Sequence, residues 1–374
     1  MMLGRGSRAA AMMALLLLAA VLGGAAAADP ACRGVDLPSS WPPGPDAVVA
    51  KQCGGGGGGV PCYTMIQEAL EKAPRLVPCE KQRYVVLVRA GVYVESLTIT
   101  RKNVVLLGEG AGKTIITGSK SNGSLIPMDQ TATVNALGHG FLAQDLTISN
   151  TAGASANQAV ALRSNSNKGV IYRCSIEGHQ DTLYAENGQQ FYLESNISGT
   201  VDFVFGNARA VFQSCRLKVR HPGKGKHCVV TAQGRDKPES LESGFSFLGC
   251  VVEADPEPGQ DLKGVDTFLG RPYKNFSHVV FINSYLGGLI NATGWVPWKR
   301  DREVKETTMT VEYIEYANTG PGADTSRRVK WAGFHILDKA SEAARYTADV
   351  FIRAKEWVPR QISYDHGLGA PPRA

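Results

Sequence analysis

The sequence predicts an all-β chain, either a solenoid or a barrel. Three observations carry this. Short β-rich runs recur from Tyr84 onward, separated by Gly, Asn and Ser. No long amphipathic helix interrupts them, which argues against alternating βα units. Gln158, Gln180 and Asp202 recur at a spacing of 22 residues, within the length of one turn of a coiled repeat. Periodicity alone does not choose between the coil and the barrel.

The chain is 374 residues long. Arg5 and Arg8 precede an apolar run from Ala9 to Ala28, which ends in small residues. Residues 1–28 therefore read as a signal peptide cleaved near Ala28. The alternative is an uncleaved anchor, since the run is long enough to span a bilayer. Residues 29–62 are rich in Pro and Gly and read as an arm, with Gly54–Gly59 as a flexible loop. Thr64 to Lys72 reads as a short helix. Met65, Ile66, Ala69 and Leu70 share its apolar face, and Thr64 stands near its cap. The β-rich runs follow: Tyr84–Val88, Val104–Leu107, Thr114–Thr117, Phe141–Ile148, Val170–Ile176, Phe191–Ile197, Ala210–Val219 and Phe245–Val252. Their inward positions would stack as aliphatic ladders. From about residue 338 the texture is helical again, with Ser341 near a cap. Phe351, Ile352 and Trp357 are expected to pack this tail back on the β domain, which spans 63–374 in all. Such a cap hides the end of a solenoid.

Charge and cysteine usage narrow the class. Lys and Arg total 40 against 34 acidic residues, a net charge of +6. Loss of Arg5 and Arg8 with the leader would leave +4. This mild excess suits a polyanion, but no basic block or basic–aromatic interleaving points to nucleic acid. The eight cysteines are Cys32, Cys53, Cys62, Cys79, Cys174, Cys215, Cys228 and Cys250. An even count in a secreted chain permits disulfides, and the early four would staple the arm. No zinc-ligand spacing is present, and no metal or cofactor is expected. Glycan acceptor triplets begin at Asn122, Asn196, Asn275 and Asn291. Gly108 to Thr114 mimics a phosphate loop, but Leu107 stands where the first glycine is needed. A glycine-rich turn between coils is the better reading.

If equivalent positions stack roughly 4.8 Å apart, Gln158, Gln180, Asp181 and Asp202 form one cluster. Two carboxylates and two amides suit acyl transfer. One carboxylate attacks, the second shuttles a proton, and neutral amides donate to an oxyanion. No Gly-x-Ser-x-Gly elbow supports a serine hydrolase.

Local motifs then point to a family. The chain reads Gln158-Ala-Val-Ala-Leu162, Gly178-His-Gln-Asp-Thr-Leu183 and Gly199-Thr-Val-Asp-Phe-Val-Phe-Gly-Asn-Ala208. Thr231-Ala-Gln-Gly-Arg235 and Leu269-Gly-Arg-Pro-Tyr273 follow, with Gly91-Val-Tyr-Val-Glu95 before and Asn318-Thr-Gly-Pro-Gly-Ala323 after. From about Tyr63 to Trp357 the sequence resembles the plant pectin methylesterases. That resemblance implies a right-handed parallel β-helix with short helical caps. It implies an ester hydrolase of the cell wall acting on methyl-esterified homogalacturonan. It makes Asp202 the nucleophile, Asp181 the acid and then base, Gln158 and Gln180 the oxyanion donors, and Arg271 the partner of Asp202. It also implies a monomer, with a proteinaceous pectinesterase inhibitor as a further partner.

Candidate sugar platforms are Tyr273, Phe203, Phe205, Trp295 and Trp298; the last four can equally be core. Three positions depart from the family pattern. Tyr273 stands where Trp is usual, and Ser195 where Cys is frequent, which puts the usual partner of Cys174 in doubt. Cys215 and Cys250 would instead stack on neighbouring coils. The stretch before Tyr63 is too short for the inhibitor-like pro-region that many members carry. Two rival functions remain: a glycoside hydrolase, which also uses two carboxylates, and a wall-binding homologue without activity.

Overall fold

Asp145 divides what reads as one strand, Phe141–Ile148, into two, Leu142–Gln144 and Thr147–Asn150. Its φ is 56°, in the left-handed region. The same corner recurs at Arg173, Glu194, Ser214, Gly249 and Asn283. All but Asn283 split a run that alternation presents as continuous. Left-handed geometry costs a non-glycine residue on the order of 1 kcal/mol or more. Here each corner N–H is satisfied by the next coil: Asp145 donates to the Tyr172 carbonyl, Arg173 to Leu193, Glu194 to Gln213 and Ser214 to Leu248, all at 3.0–3.2 Å.

The computed structural model describes residues 44–54, 59–72, 83–223, 227–238, 243–257, 259, 261–298 and 307–372. The expected signal peptide, Cys32 and Cys79 lie outside these. Among the described residues, three sheets of twelve, eight and seven strands wrap one interior. Neighbouring strands come from successive coils and pair in parallel, as in Tyr192 with Phe212 and Phe212 with Phe247. The open ends of the sheets exclude a barrel, and the fold is a right-handed parallel β-helix.

The interior is a set of columns. One runs Val86, Leu106, Ala143, Ile171, Tyr192, Phe212, Phe247 and Phe281. It is aliphatic at first and aromatic later, with rings stacked 4.5–4.6 Å apart from Tyr192 to Phe281. It terminates at Glu315, which pairs in register with Phe281. A second column follows the corners: Cys174, Ser195, Cys215, Cys250 and Ser284, all buried. Ser195 Oγ accepts from the Cys174 N–H at 3.1 Å, and Ser284 Oγ does the same for Cys250. Among the described residues Cys53 and Cys62 form a disulfide, whereas Cys174, Cys215, Cys228 and Cys250 are buried thiols.

The outer face of the twelve-stranded sheet is also apolar, because the tail covers it. Phe351, Ile352 and Val358 pack with Val170, Phe191, Val211 and Val280. Gln213 Nε2 donates to the Asp365 carbonyl and Asn283 Nδ2 to Leu368 and Gly369.

Helix starts differ from expectation. The first helix is Ile66–Glu71, with exposed Met65 rather than Thr64 at its cap position. The Glu95 carboxylate accepts from the Ile66 and Gln67 N–H groups at 2.9 and 3.0 Å. A long-range acid at a helix N-terminus replaces the local hydroxyl. In the tail the helix begins at Ala340 after Lys339, and Ser341 is already inside it. The glycine-rich decoy is a turn between strands Val104–Leu107 and Thr114–Gly118. A Cβ on Gly108 would lie 2.2 Å from the Asp145 carbonyl oxygen.

Candidate active site

The cleft lies on the outer face of the seven-stranded sheet and encloses about 290 Å³. Along this face the register aligns Asn135, Arg163, Tyr184, Phe205 and Ala232 in one outward column. Tyr184 and Phe205 stack at 4.5 Å.

Both carboxylates stand just before their strands. Leu162 pairs with Leu183, and Leu183 with Val204, a step of 21 residues. Asp181 and Asp202 each precede these positions by two, so they are equivalents on adjacent coils. Asp181 N–H donates to the Val201 carbonyl at 3.0 Å. The uniform 22-residue spacing thus has two separate causes. Gln158 precedes Leu162 by four residues, and Gln180 precedes Leu183 by three. The extra residue is absorbed where Ala161 and Leu162 both donate to the Thr182 carbonyl, at 2.9 and 3.3 Å. Asp202 shares a column with Asp181, not with the glutamines.

Asp181 and Asp202 both adopt left-handed φ, 61° and 52°. Asp tolerates this better than most residues, yet it remains strain of the kind stored at functional sites. The turn also resets side-chain alternation. Phe203 and Val204 both point into the main core, and Phe205 points out to the cleft. Phe203 is therefore not a sugar platform; it is fully buried. Trp295 is likewise interior. Its ring stacks on Tyr313 at 4.2 Å, and its Nε1 donates to Glu315 Oε1. Tyr273 and Trp298 do line the cleft, as does Phe205.

Arg271 follows strand Thr267–Gly270, anchored by its N–H on the Thr231 carbonyl. Its Nε donates to Asp202 Oδ1 at 2.8 Å and its Nη2 to Oδ2 at 2.6 Å, a bidentate pair. The guanidinium lies 4.2 Å over the Trp298 ring. Burial pushes both carboxyl pKa values up. Asp181 goes well above the usual carboxylate range, because the charge of Asp202 adds to its desolvation. For Asp202, Arg271 opposes burial through hydrogen bonds and charge. Asp181 is thus pushed up by both burial and its neighbour, whereas Arg271 favours the charged form of Asp202. Gln158 and Gln180 line the same cleft, and among the described residues neither side-chain amide has a hydrogen-bond partner. Nor does any group of three or more His, Cys, Asp or Glu among the described residues offer a metal site.

Six lining residues were absent from the expected set: Met128, Tyr184, Gly206, Asn207, Ala232 and Gly234. Tyr184 was detectable in principle, as the outward residue of strand Leu183–Ala185, which opens two residues after Asp181.

Residues 46–355 match the family model described as pectinesterase. The chain belongs to the pectinesterase family. It is 44% identical to pectinesterase 2 of Citrus sinensis over 81% of this chain and 58% of that protein. It spans less than two thirds of the length of such curated relatives. Among solved structures it is similar to the pectin methylesterase from carrot, with a TM-score of 0.80 and 39% identity, covering 87% of this chain and 98% of that one. It is also similar to a pectin methylesterase in complex with a hexasaccharide, with a TM-score of 0.67 and 25% identity, over 83% and 97% of the two chains.

Proposed function

We propose that the chain hydrolyses galacturonate methyl esters in homogalacturonan, releasing methanol and leaving free carboxylates. The observation that carries this is the asymmetry of the aspartate pair. Arg271 holds Asp202 through two hydrogen bonds that favour its charged form, while burial and the Asp202 charge push the Asp181 pKa well up. Asp202 attacks the ester carbonyl carbon. The developing oxyanion takes hydrogen bonds from the side-chain amides of Gln158 and Gln180. Asp181 gives its proton to the departing methoxide, so methanol leaves and an acyl–Asp202 anhydride remains. Asp181, now a carboxylate, takes a proton from water, which attacks the anhydride. Asp202 is released and Asp181 is again protonated.

Phe205, Tyr273 and Trp298 provide ring faces for the sugar chain. The named relatives, and the hexasaccharide complex of one structural neighbour, support this substrate class. Secretion to the cell wall, an unassembled monomer and recognition by a proteinaceous inhibitor complete the reading. Asn275 is the most exposed of the four glycan acceptors.

A retaining glycoside hydrolase also uses two carboxyl groups, which stand about 5 Å apart in such enzymes. It has no use for two unpartnered amides beside them. The deciding measurement is product: methanol released from methylated pectin, against new reducing ends. Reducing ends without methanol would overturn the esterase reading.

A further inference from the structure

Asn207 follows strand Val204–Gly206 and lines the cleft. A buried relay decides which way its amide faces. Gln233 Oε1 accepts from two backbone N–H groups, Arg235 at 3.0 Å and His278 at 2.9 Å. Its other end is therefore the donor, and Nε2 donates to Ser243 Oγ at 2.6 Å. The single Ser243 proton is thereby directed to Asn207 Oδ1, 2.7 Å away. Gln233 and Ser243 are both buried. Two backbone amides thus orient Asn207 through two side chains, and Nδ2 becomes its outer end, with two protons to give. Among the described residues, none accepts from Asn207 Nδ2.

We propose that Asn207 Nδ2 is a substrate-binding donor. It recognises an acceptor oxygen on a galacturonate unit flanking the one whose ester is cleaved, with Ser243 and Gln233 as positioning residues. This rests on the pectinesterase reading above. Asp202 and Asn207 stand at opposite ends of strand Val204–Gly206, at most about 16 Å apart along the chain, so Asn207 addresses a unit beside the one whose ester Asp202 attacks. The wall beside it is bare backbone: Gly206 and Gly234 both line the cleft between Asn207 and Tyr273. A Cβ on Gly234 would come within 3.2 Å of the Tyr273 ring. A neutral amide serves a hydroxyl and a free carboxylate alike, so it tolerates a chain whose charge grows as esters are removed.

The test pairs binding with turnover. The binding probe is a fully de-esterified galacturonate hexamer; the turnover substrate is methyl-esterified polygalacturonate. Asn207→Ala and Asn207→Asp are each expected to weaken hexamer binding about five- to tenfold, the loss of one hydrogen bond. KM should rise in parallel, with kcat within about twofold. Asn207→Asp keeps the acceptor that Ser243 uses, so it folds even where the alanine variant does not. The alanine variant adds no charge, so agreement between the two separates lost donation from repulsion. Ser243→Ala frees the amide to turn and should weaken binding by a smaller factor, about two- to fourfold. Hexamer affinity unchanged in folded Asn207→Asp would overturn the proposal, as would a fall in kcat at constant KM. If the wild-type chain binds the hexamer but releases no methanol, the esterase reading fails, and the affinities still decide Asn207. Failure of the wild-type chain to bind the hexamer would overturn the Asn207 proposal itself.

Discussion

Two arginine–carboxylate pairs are held in this molecule with nearly the same geometry. Arg271 grips Asp202 at 2.8 and 2.6 Å, and Arg328 grips Glu315 at 2.7 and 3.1 Å. Their surroundings differ. Arg328 also donates to the Ala292 and Gly322 carbonyls, and Glu315 also accepts from Trp295. Its seal is tight enough that a Cβ on Gly294 would meet Arg328 Cδ at 2.5 Å. That pair closes the end of the aromatic column and has nothing left to offer. The Asp202 pair faces a cleft, with a carboxyl whose pKa burial pushes up and two unused amides beside it. A buried ion pair is structural when its neighbours complete it, and chemical when they leave it poised.

The sharpest way to break this contrast is Asp202→Asn. Methanol release should fall by at least about 10³-fold, since an amide does not attack as a carboxylate does. The fold should persist, because Asn keeps one acceptor for Arg271 and the Trp298 face remains. Near-wild-type turnover in a folded variant would remove Asp202 from the mechanism.

Asp181→Asn should cost about 10²–10⁴-fold in kcat, through loss of proton transfer. Its stability should move the other way. In the unfolded chain Asp181 ionises near ~3.9, but burial and Asp202 raise its pKa in the fold. Above the unfolded value the folded state holds a proton that the unfolded state has lost, so stability falls as pH rises toward the folded pKa. Asn carries no such penalty. The urea midpoint of the variant should exceed wild type at neutral pH and converge with it below about pH 4. A lower midpoint at neutral pH would show that Asp181 is not held protonated.

Arg328→Ala tests the other pair. It leaves Glu315 buried without its cation, at a cost of about 3–5 kcal/mol. Urea denaturation should report that loss, while kcat per folded molecule stays near wild type. A variant of normal stability but reduced kcat would reverse the assignment of the two pairs.

The smallest effect is expected at Tyr273, which is 47% exposed and whose ring centre lies 5.0 Å from that of Trp298. Tyr273→Ala should raise KM by less than about tenfold with little change in kcat, and Tyr273→Trp should lower it modestly. A kcat loss as severe as that of Asp202→Asn, at constant KM, would make Tyr273 part of the chemistry.

The β texture, the interior columns and the covering tail were legible because apolar alternation and burial are the same physical fact. The corners were not. A left-handed Arg, Glu or Ser leaves no local signal, since the hydrogen bond that stabilises it comes from the next coil. The same blindness left Phe203 undecided between core and cleft. Simple alternation puts it on the face of Phe205, and the turn at Asp202 undoes that. Trp295 was ambiguous because its partner Glu315 lies far along the chain. The cluster of Gln158, Gln180, Asp181 and Asp202 was found from a spacing that mixes a bulge with a change of column, so the location held although the reason for it did not. Asn207 was unreadable, because its orientation depends on Gln233 and Ser243.

The corner residues also act as phase marks. From Glu194 to Ser214 one circuit takes 20 residues, and from Ser214 to Gly249 the next takes 35. Circuits so unequal nevertheless return to register, because each corner N–H donates to the carbonyl of the residue just before the next corner. Insertions and deletions can therefore enter between corners without disturbing the columns inside. The loops around the cleft can thus be lengthened or trimmed independently of the core, so its rim can change while the scaffold that positions Asp181 and Asp202 stays in register.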